Sequence, residues 1–591
     1  MLKHLKTQPG PFLFALFSCL AWLHPWHVHP FRTFYHDLLP VVALLLGWCL
    51  LRTHPVLPRI VCLPLGLMAL MLLQWALGLV DASALYYGLM LLAMAALAMV
   101  LGASWAGQPG GVALIGSLLA ASLLLAALLS VLMQWLQFFG IDLRPWVMWL
   151  ERDPVTLMRP FANVGQPNQL ALLLCFGLAT LWHGWQAGRL AGGLAWGMAL
   201  WLLTGLALSQ SRIGWIIVPL FALSAASGML GQRALARRAW PALLALLVLF
   251  VLCVWGLPTL GAWLGHAQGT RLGGARSERA VLMQQAWQMA KQHPWLGVGW
   301  QGFGPEQVRI AADFAPSTYS DHAHNIVLQF AAELGWPMTC LMVPGLLFWL
   351  GQCCVPQRAR TATPLAFASL CLVAVGVHSL VEFPLWYGYV LLPVALLMGM
   401  LDRARWPAGP VDPAQSVEVL EHAASTARAD RTEIQPRRPA RALVWLVGGL
   451  GWFGVVVVNV DYARVTAGFA AFQGVDNLAS VSSPALHKPK WTLLPDFFDY
   501  FQAIRLQPQQ PLSPADLALL ERVSLRFAYV HVLNNLAEAY VVNGQGKQAL
   551  RTMQTLHSLH PFSWAGYYAY WKQLAAQDAR FQAIFQQLPA Q

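Results

Sequence analysis

The sequence predicts an all-α polytopic membrane protein, with about thirteen transmembrane helices and a small helical domain at its C-terminal end. Three observations predict this class. Of 591 residues, 58% are hydrophobic and only 10% charged, against about 25% charged in an ordinary soluble domain. No set of soluble domains could cover that much apolar surface with so few charges. The apolar residues are gathered into runs, most of them near the ~20 residues that a helix needs to cross about 30 Å of hydrocarbon. Those runs also lack strand alternation, and backbone groups in lipid must pair internally, so each run reads as a helix rather than part of a barrel. Disordered, collagen-like and disulfide-scaffold classes are excluded. Seven cysteines lie inside apolar runs, and Cys353 and Cys354 stand side by side at the end of another. No spacing suits a structural zinc or a disulfide framework.

The first run, 12–23, follows Lys3 and Lys6 and resembles a signal peptide. However, His24-Pro25-Trp26-His27 offers no small-residue cleavage site, so an uncleaved first span is expected. Further runs lie near 38–51, 60–80, 83–101, 112–138, 168–185, 190–208, 213–230, 240–264, 337–354, 364–380, 385–402 and 442–460. An odd number of spans puts the termini on opposite sides. With the N-terminus cytoplasmic, the cytoplasmic turns carry Arg52, Arg59, Arg189, Arg233, Arg237, Arg238, Arg358 and Arg360. The loop 403–441 adds Arg403, Arg405, Arg428, Arg431, Arg437, Arg438 and Arg441, while the short opposite turns near 81 and 378–384 carry none. The positive-inside rule is therefore met. The net charge of +12 follows from this placement and needs no nucleic-acid partner.

This topology divides the chain into a transmembrane core 1–402, a flexible cytoplasmic linker 403–441, a last span 442–460 and a periplasmic helical domain 461–591. The linker is rich in Pro, Ala and Arg with few large apolar residues. In the tail, Leu533, Leu536, Ala537 and Tyr540 recur at helical spacing before Asn543-Gly544 breaks the pattern. Ala549, Leu550, Met553 and Leu556 then resume it, a helix–turn–helix resembling a tetratricopeptide unit.

Polar groups near membrane depth are costly, which makes them the first candidates for chemistry. Five clusters fall on the outer side, in loops 139–167 and 265–336 and in two short turns. The first is Arg159 with Asn163, Gly165, Gln166, Asn168 and Gln169, leading into the run at 168. Asn168 suits a helix cap, but amides plus an arginine at a helix start also suit an anion or sugar hydroxyls. The second is the turn Ser209-Gln210-Ser211-Arg212. Arg212 could be an interfacial anchor, although the orientation rule gives no reason for a cation there, and its fork of donors suits a phosphate. In the third, Arg279 opens an amphipathic stretch with Trp287 and Ala290, followed by a glycine-rich loop from His293 to Phe303. The fourth is Asp321-His322-Ala323-His324-Asn325, where a helix from His324 would set Asn325, Gln329 and Glu333 in a polar stripe. His-x-His could bind metal, yet no further His or Cys ligands stand nearby, and a base is the sharper reading because imidazole takes a proton near neutral pH. The last is His378-Ser379-Leu380-Val381-Glu382-Phe383-Pro384-Leu385-Trp386-Tyr387, in which Glu382 needs a partner such as an outer arginine.

Taken together, these motifs resemble the bacterial O-antigen ligase/polymerase superfamily. Within it, the sequence is similar to the protein O-oligosaccharyltransferases that glycosylate pilins. The likeness rests on Gly165-Gln166-Pro167-Asn168-Gln169, Ser211-Arg212, His324-Asn325 with Leu328-Gln329 and Glu333-x-Gly335, and Glu382-Phe383-Pro384-Leu385 with Tyr387. It spans most of residues 150–400, and the extra helical tail favours the protein-glycosylating branch. The resemblance implies a GT-C-like fold in the bacterial inner membrane. It also implies transfer of a preassembled glycan from undecaprenyl diphosphate to a hydroxyl in the periplasm, without a metal, nucleotide or other cofactor. His324 and Arg212 would be catalytic, as base and as diphosphate clamp. Arg159, Asn168, Gln169, Arg279, Asn325, Glu382 and Tyr387 would bind or position substrate; His322 has no assigned part. An O-antigen ligase using lipid A–core, or a polymerase of repeat units, is the alternative within the enzyme class. A secondary transporter would show repeats between halves and midplane charges, and a scaffold would work through its tail alone.

Overall fold

The computed structural model describes residues 9–151, 158–228, 233–264, 278–354, 364–407, 438–475 and 478–590. Among these, every regular element is a helix. Each of the thirteen apolar runs lies on one: α1 Pro9–Leu23, α2 Phe34–Cys49, α3 Cys62–Ala76, α4 Ala82–Ala106, α5 Gly111–Phe139, α6 Pro167–Gln186, α7 Gly192–Leu208, α8 Ile213–Gly228, α9 Arg233–Trp263, α13 Trp336–Cys354, α14 Pro364–Ser379, α15 Gly388–Arg405 and α16 Arg438–Ala470. The outer loop contributes α10 Glu278–Gln292, α11 Phe303–Ile310 and α12 Ile326–Leu334, and the tail contributes α17 Pro495–Ala503, α18 Pro514–Arg526, α19 Val530–Val542, α20 Gly546–Leu559, α21 Trp564–Gln577 and α22 Ala579–Phe585. Among the described residues, five stretches are long and apolar enough to cross a bilayer by length and composition: 59–76, Ala82–Ala106, Gly111–Phe139, 243–263 and 441–470. The protein is thus a helical membrane protein. Residues 408–437, most of the expected linker, lie outside the described residues together with Lys3 and Lys6. Helix claims both ends of the expected 403–441 linker, since α15 runs to Arg405 and α16 starts at Arg438.

In a bundle whose surroundings are as apolar as its side chains, close packing rather than the hydrophobic effect holds helices together. The α4–α15 pair illustrates this. A Cβ on Gly102 would stand 2.1 Å from the Leu396 carbonyl oxygen, and one on Gly399 would stand 1.9 Å from that of Met99. The two glycines let the backbones touch. One large core joins α1, α2, α4–α9 and α13–α16, while α3 and α4 also pack around Trp300, Leu334 and Met342, the last of these on α13.

The last apolar helix differs from the others. At 33 residues, α16 is about 50 Å long, well beyond the expected end at 460. Its upper part is tied down where the extra turns begin. The Tyr462 ring stacks on Phe34 with centroids 3.7 Å apart, and its hydroxyl donates to the carbonyls of Val28 (2.6 Å) and Phe31 (3.1 Å). Buried Asp461 accepts from the Leu493 amide (2.6 Å) and the Thr492 hydroxyl (3.0 Å). From there α17–α22 build a second core, in which α19 and α20 form an antiparallel hairpin. The turn between them needs Gly544, whose φ is +75°.

Candidate active site

The site is assembled from four segments between the long helices, 158–169, 209–212, 278–334 and 378–387, which buried polar groups hold in place. Segment 158–166 is carried by two glutamines of α5, one turn apart on an otherwise apolar helix. Gln137 Oε1 accepts from the amides of Phe161 (3.0 Å) and Ala162 (2.9 Å), and its Nε2 donates to the Ala162 (3.0 Å) and Met148 (2.9 Å) carbonyls. Gln134 Nε2 donates to the Pro160 (2.9 Å) and Gly205 (3.1 Å) carbonyls, which joins the segment to α7. His27, in the loop after α1, bonds the Asn163 carbonyl at 2.8 Å. None of these three residues was singled out from the sequence. The signal was present for the glutamines, because amides at i and i+3 inside a span are expensive unless they hold something.

Helix α6 begins with Gln166 as its cap: the side chain accepts from the Gln169 amide at 2.8 Å, and Pro167 sits at the first helical position. The expected cap, Asn168, is two residues further on, and its side chain points elsewhere. Its Oδ1 accepts from Arg159 (3.1 Å) and from the Ser211 hydroxyl (2.9 Å), and its Nδ2 donates to Glu382 Oε1. Arg159 Nε also donates to the Ser209 carbonyl at 3.0 Å. The first, second and fifth clusters therefore meet at Asn168. Arg212, next to Ser211, is exposed immediately before α8. Gln169 is fully buried, and neither of its amide atoms has a hydrogen-bond partner in the protein.

The third and fourth clusters meet the fifth at Glu382. This carboxylate is only 3% exposed, and its turn is closed by the Val381 and Glu382 amides donating to the His378 carbonyl. Arg279 pairs with Glu382 Oε1, and His324 Nδ1 lies 3.1 Å from Oε2. Burial, the largest single influence, raises the affinity of Glu382 for a proton. The His324 hydrogen bond and the charges of Arg279, His324 and His378 together outweigh it and hold the group below the usual carboxylate range. Arg279 stands in the first turn of α10, whose buried face is Leu282, Gln285, Ala286, Met289 and Ala290. Trp287 is not part of that face: it is half exposed and packs edge-on against Trp336.

His324 does not begin a helix. Its φ is +53°, and α12 starts two residues later with Asn325 as its cap, the side chain accepting from Val327 (3.1 Å) and Leu328 (3.0 Å). Asn325 Nδ2 also donates to the Leu380 carbonyl at 3.1 Å, which stitches the two segments together. Among the described residues, four non-glycine residues have positive φ: Ala162, Gln210, Gln301 and His324. All four lie in the segments that carry these clusters. Such backbone costs about 1–3 kcal/mol per residue, and it persists where surrounding bonds over-determine it. His322, unassigned from the sequence, packs among Phe383 (4.4 Å) and Trp386 (4.9 Å). Burial pushes its imidazole down to about 3, so the ring is neutral at physiological pH. Tyr387 stacks on Phe383, which also meets the His324 ring edge-on.

The polar stripe on α12 splits in function. Gln329 Oε1 accepts from the Ala323 amide at 2.7 Å and so braces the His322–His324 turn. Glu333 faces the glycine-rich loop, accepting from the Phe303 amide at 3.2 Å; burial pushes it up to about 8. The loop lies against the end of α12 so closely that a Cβ on Gly297, where φ is +66°, would come 2.3 Å from the Glu333 carbonyl carbon. Among the described residues no three His, Cys, Asp or Glu side chains are gathered as metal ligands. The site thus combines a buried anionic carboxylate, an imidazole bonded to it, amides, and arginines at the mouth. That chemistry suits proton acceptance beside an anionic leaving group.

Comparison with known proteins agrees in kind. Residues 197–343 match the O-antigen ligase family, and residues 366–577 match the family described as the C-terminal part of a virulence factor membrane-bound polymerase. A general O-oligosaccharyltransferase of Acinetobacter baylyi (strain ATCC 33305 / BD413 / ADP1) is 26% identical over 574 residues, covering 93% of this chain and 92% of the relative. A ComP-specific O-oligosaccharyltransferase of the same strain is 25% identical over 249 residues, covering 41% of this chain and 44% of the relative. With these two matches and a likeness along nearly its full length, the chain is a glycosyltransferase similar to the O-antigen ligases and O-oligosaccharyltransferases.

Proposed function

We propose that this protein transfers a preassembled oligosaccharide from undecaprenyl diphosphate to a Ser or Thr hydroxyl of a periplasmic protein such as a pilin. In this reading thirteen helices span the inner membrane, the N-terminus is cytoplasmic, and the site and tail face the periplasm. The observation that carries it is Glu382, bonded at once to His324, Arg279 and Asn168. An ionised Glu382 accepts a hydrogen bond from the His324 Nδ1–H, and this leaves Nε2 as the acceptor on the ring. The acceptor hydroxyl gives its proton to Nε2 as its oxygen bonds the anomeric carbon. The bond from that carbon to the phosphate oxygen breaks, and its electron pair leaves with undecaprenyl diphosphate. Arg212 and Arg159 hold the diphosphate and neutralise its developing charge. Arg279 keeps Glu382 ionised from the other side. Asn168, Asn325 and Tyr387 position these groups, and Gln169 serves as a buried amide at the donor.

The O-antigen ligase match supports a second reading, in which the acceptor is lipid A–core. The test supplies purified protein in liposomes with one undecaprenyl-linked oligosaccharide and offers a serine-bearing pilin and lipid A–core in parallel. Glycan on the pilin alone is the expected result. Glycan on lipid A–core alone would overturn the protein acceptor and leave the transferase chemistry standing.

A further inference from the structure

The chain between the glycine-rich loop and His324 packs on the C-terminal domain. Val308 and Ala311 belong to the core of that domain, with Tyr319 against it. The Ser317 amide donates to the Ser558 carbonyl at 2.7 Å, and Arg551 forms a two-pronged pair with Asp313 at 2.6 and 2.8 Å. One residue at the end of α18 reaches further in. The Arg526 guanidinium donates to the Gln301 carbonyl (3.2 Å) and side chain (3.1 Å) and stands 3.5 Å from Asp496. The Tyr319 hydroxyl lies between the Arg526 carbonyl (3.1 Å) and the Asp321 carboxylate (2.9 Å) and can give its proton to either. Beyond Asp321 the bracing continues. The Ser320 amide donates to Gln307 Oε1 (2.9 Å), and the Ser320 hydroxyl meets both the carbonyl (2.9 Å) and the amide (3.1 Å) of His322. The two strained residues of this loop, Gln301 and His324, are the two ends of this brace.

We infer that the C-terminal domain is a clamp that sets the position of His324, with Arg526 and Tyr319 as its positioning residues. Strained backbone at His324 relaxes unless something holds it, and the 380–387 turn grips this segment from the far side, through the Leu380 carbonyl, Glu382 and the Phe383 and Trp386 rings. The domain supplies the opposing grip. This role rests on the proposed function for its catalytic consequence, but not for its structural one.

The test uses full-length protein and compares Arg526→Ala and Tyr319→Phe with Arg551→Ala, which cuts the same interface away from the 319–324 turn. Hydrogen exchange of segment 319–334 is read beside transfer kinetics. The clamp predicts faster exchange there in the first two variants and not in the third. It also predicts kcat lowered about 10- to 100-fold with the donor KM unchanged, as for a catalytic group displaced by about 1 Å. Wild-type exchange in 319–334, or unchanged kcat, would overturn it. If Arg526→Ala loosens the whole of 495–590, the domain itself has unfolded, and Tyr319→Phe, which removes one hydroxyl, decides. A wild-type protein inactive on every acceptor sinks the functional reading, while the exchange arm still decides the clamp.

Discussion

At the scale of single residues, Glu382 organises the site, and its protonation has a definite sign. Its folded pKa lies below that of an ordinary glutamate. The stability it contributes is therefore present above about pH 4.5 and is lost as pH falls through the lower folded value. Removing Arg279 takes away one of the charges that, with the His324 hydrogen bond, hold that value down. The acidic limb of the pH–rate profile should accordingly move to higher pH in Arg279→Ala, and an unmoved limb would show that the pair does not tune Glu382. The partners of Glu382 were only partly legible in the sequence. Its need for an arginine followed from the cost of a carboxylate at membrane depth, but Arg279 lies 103 positions away, and no local pattern encodes that pairing. Asn168 misled for a local reason. Gln166 and Asn168 both suit a helix start, and the choice fell to the residue with extended backbone, Gln166 at φ −141°.

At the scale of elements, α12 and the glycine-rich loop form one unit whose stability depends on pH in the opposite sense. Glu333 is buried and raised to about 8, so its contribution is complete below about pH 4.5 and falls as pH rises through about 8. Wild-type protein should lose more thermal stability between pH 5 and 8 than Glu333→Gln; parallel curves would contradict this. Loss of the α12 cap in Asn325→Ala should cost about 1 kcal/mol of stability, visible as a lowered midpoint in the same scan. The sequence showed Asn325, Gln329 and Glu333 as one stripe because their spacing is helical. Their separate partners, the Leu380 carbonyl, the Ala323 amide and the Phe303 amide, come from three other segments that periodicity does not see. The left-handed turn at His324 was equally hidden, since histidine has no general preference for positive φ comparable to glycine's.

At the scale of the whole molecule, hydropathy was the most informative signal. All thirteen apolar runs carry helices, because a run of apolar residues in lipid has no other way to pair its backbone. Helix ends were less legible: α16 continues ten residues past 460, where Asp461 and Tyr462 find partners in the segment before α17 and in the loop after α1. The proposed orientation makes a direct prediction. In a chain freed of native cysteines, a cysteine at Gln548 should react with a membrane-impermeant maleimide in cells with a permeabilised outer membrane. One at Gln415 should react only after lysis, and the reverse pattern would invert the topology.

The central claim, glycan transfer to protein through His324 and Glu382, is tested most directly by the intact mass of a serine-bearing periplasmic pilin. The pilin is co-expressed with this protein and one defined undecaprenyl-linked oligosaccharide, in cells lacking their own glycan ligase. The account predicts a mass increase equal to that glycan with the wild-type chain, and its loss with His324→Ala and Glu382→Ala at equal membrane abundance. A pilin that gains the glycan in all three strains would contradict the site. A pilin that gains it in none, with donor and expression confirmed, would contradict protein as the acceptor.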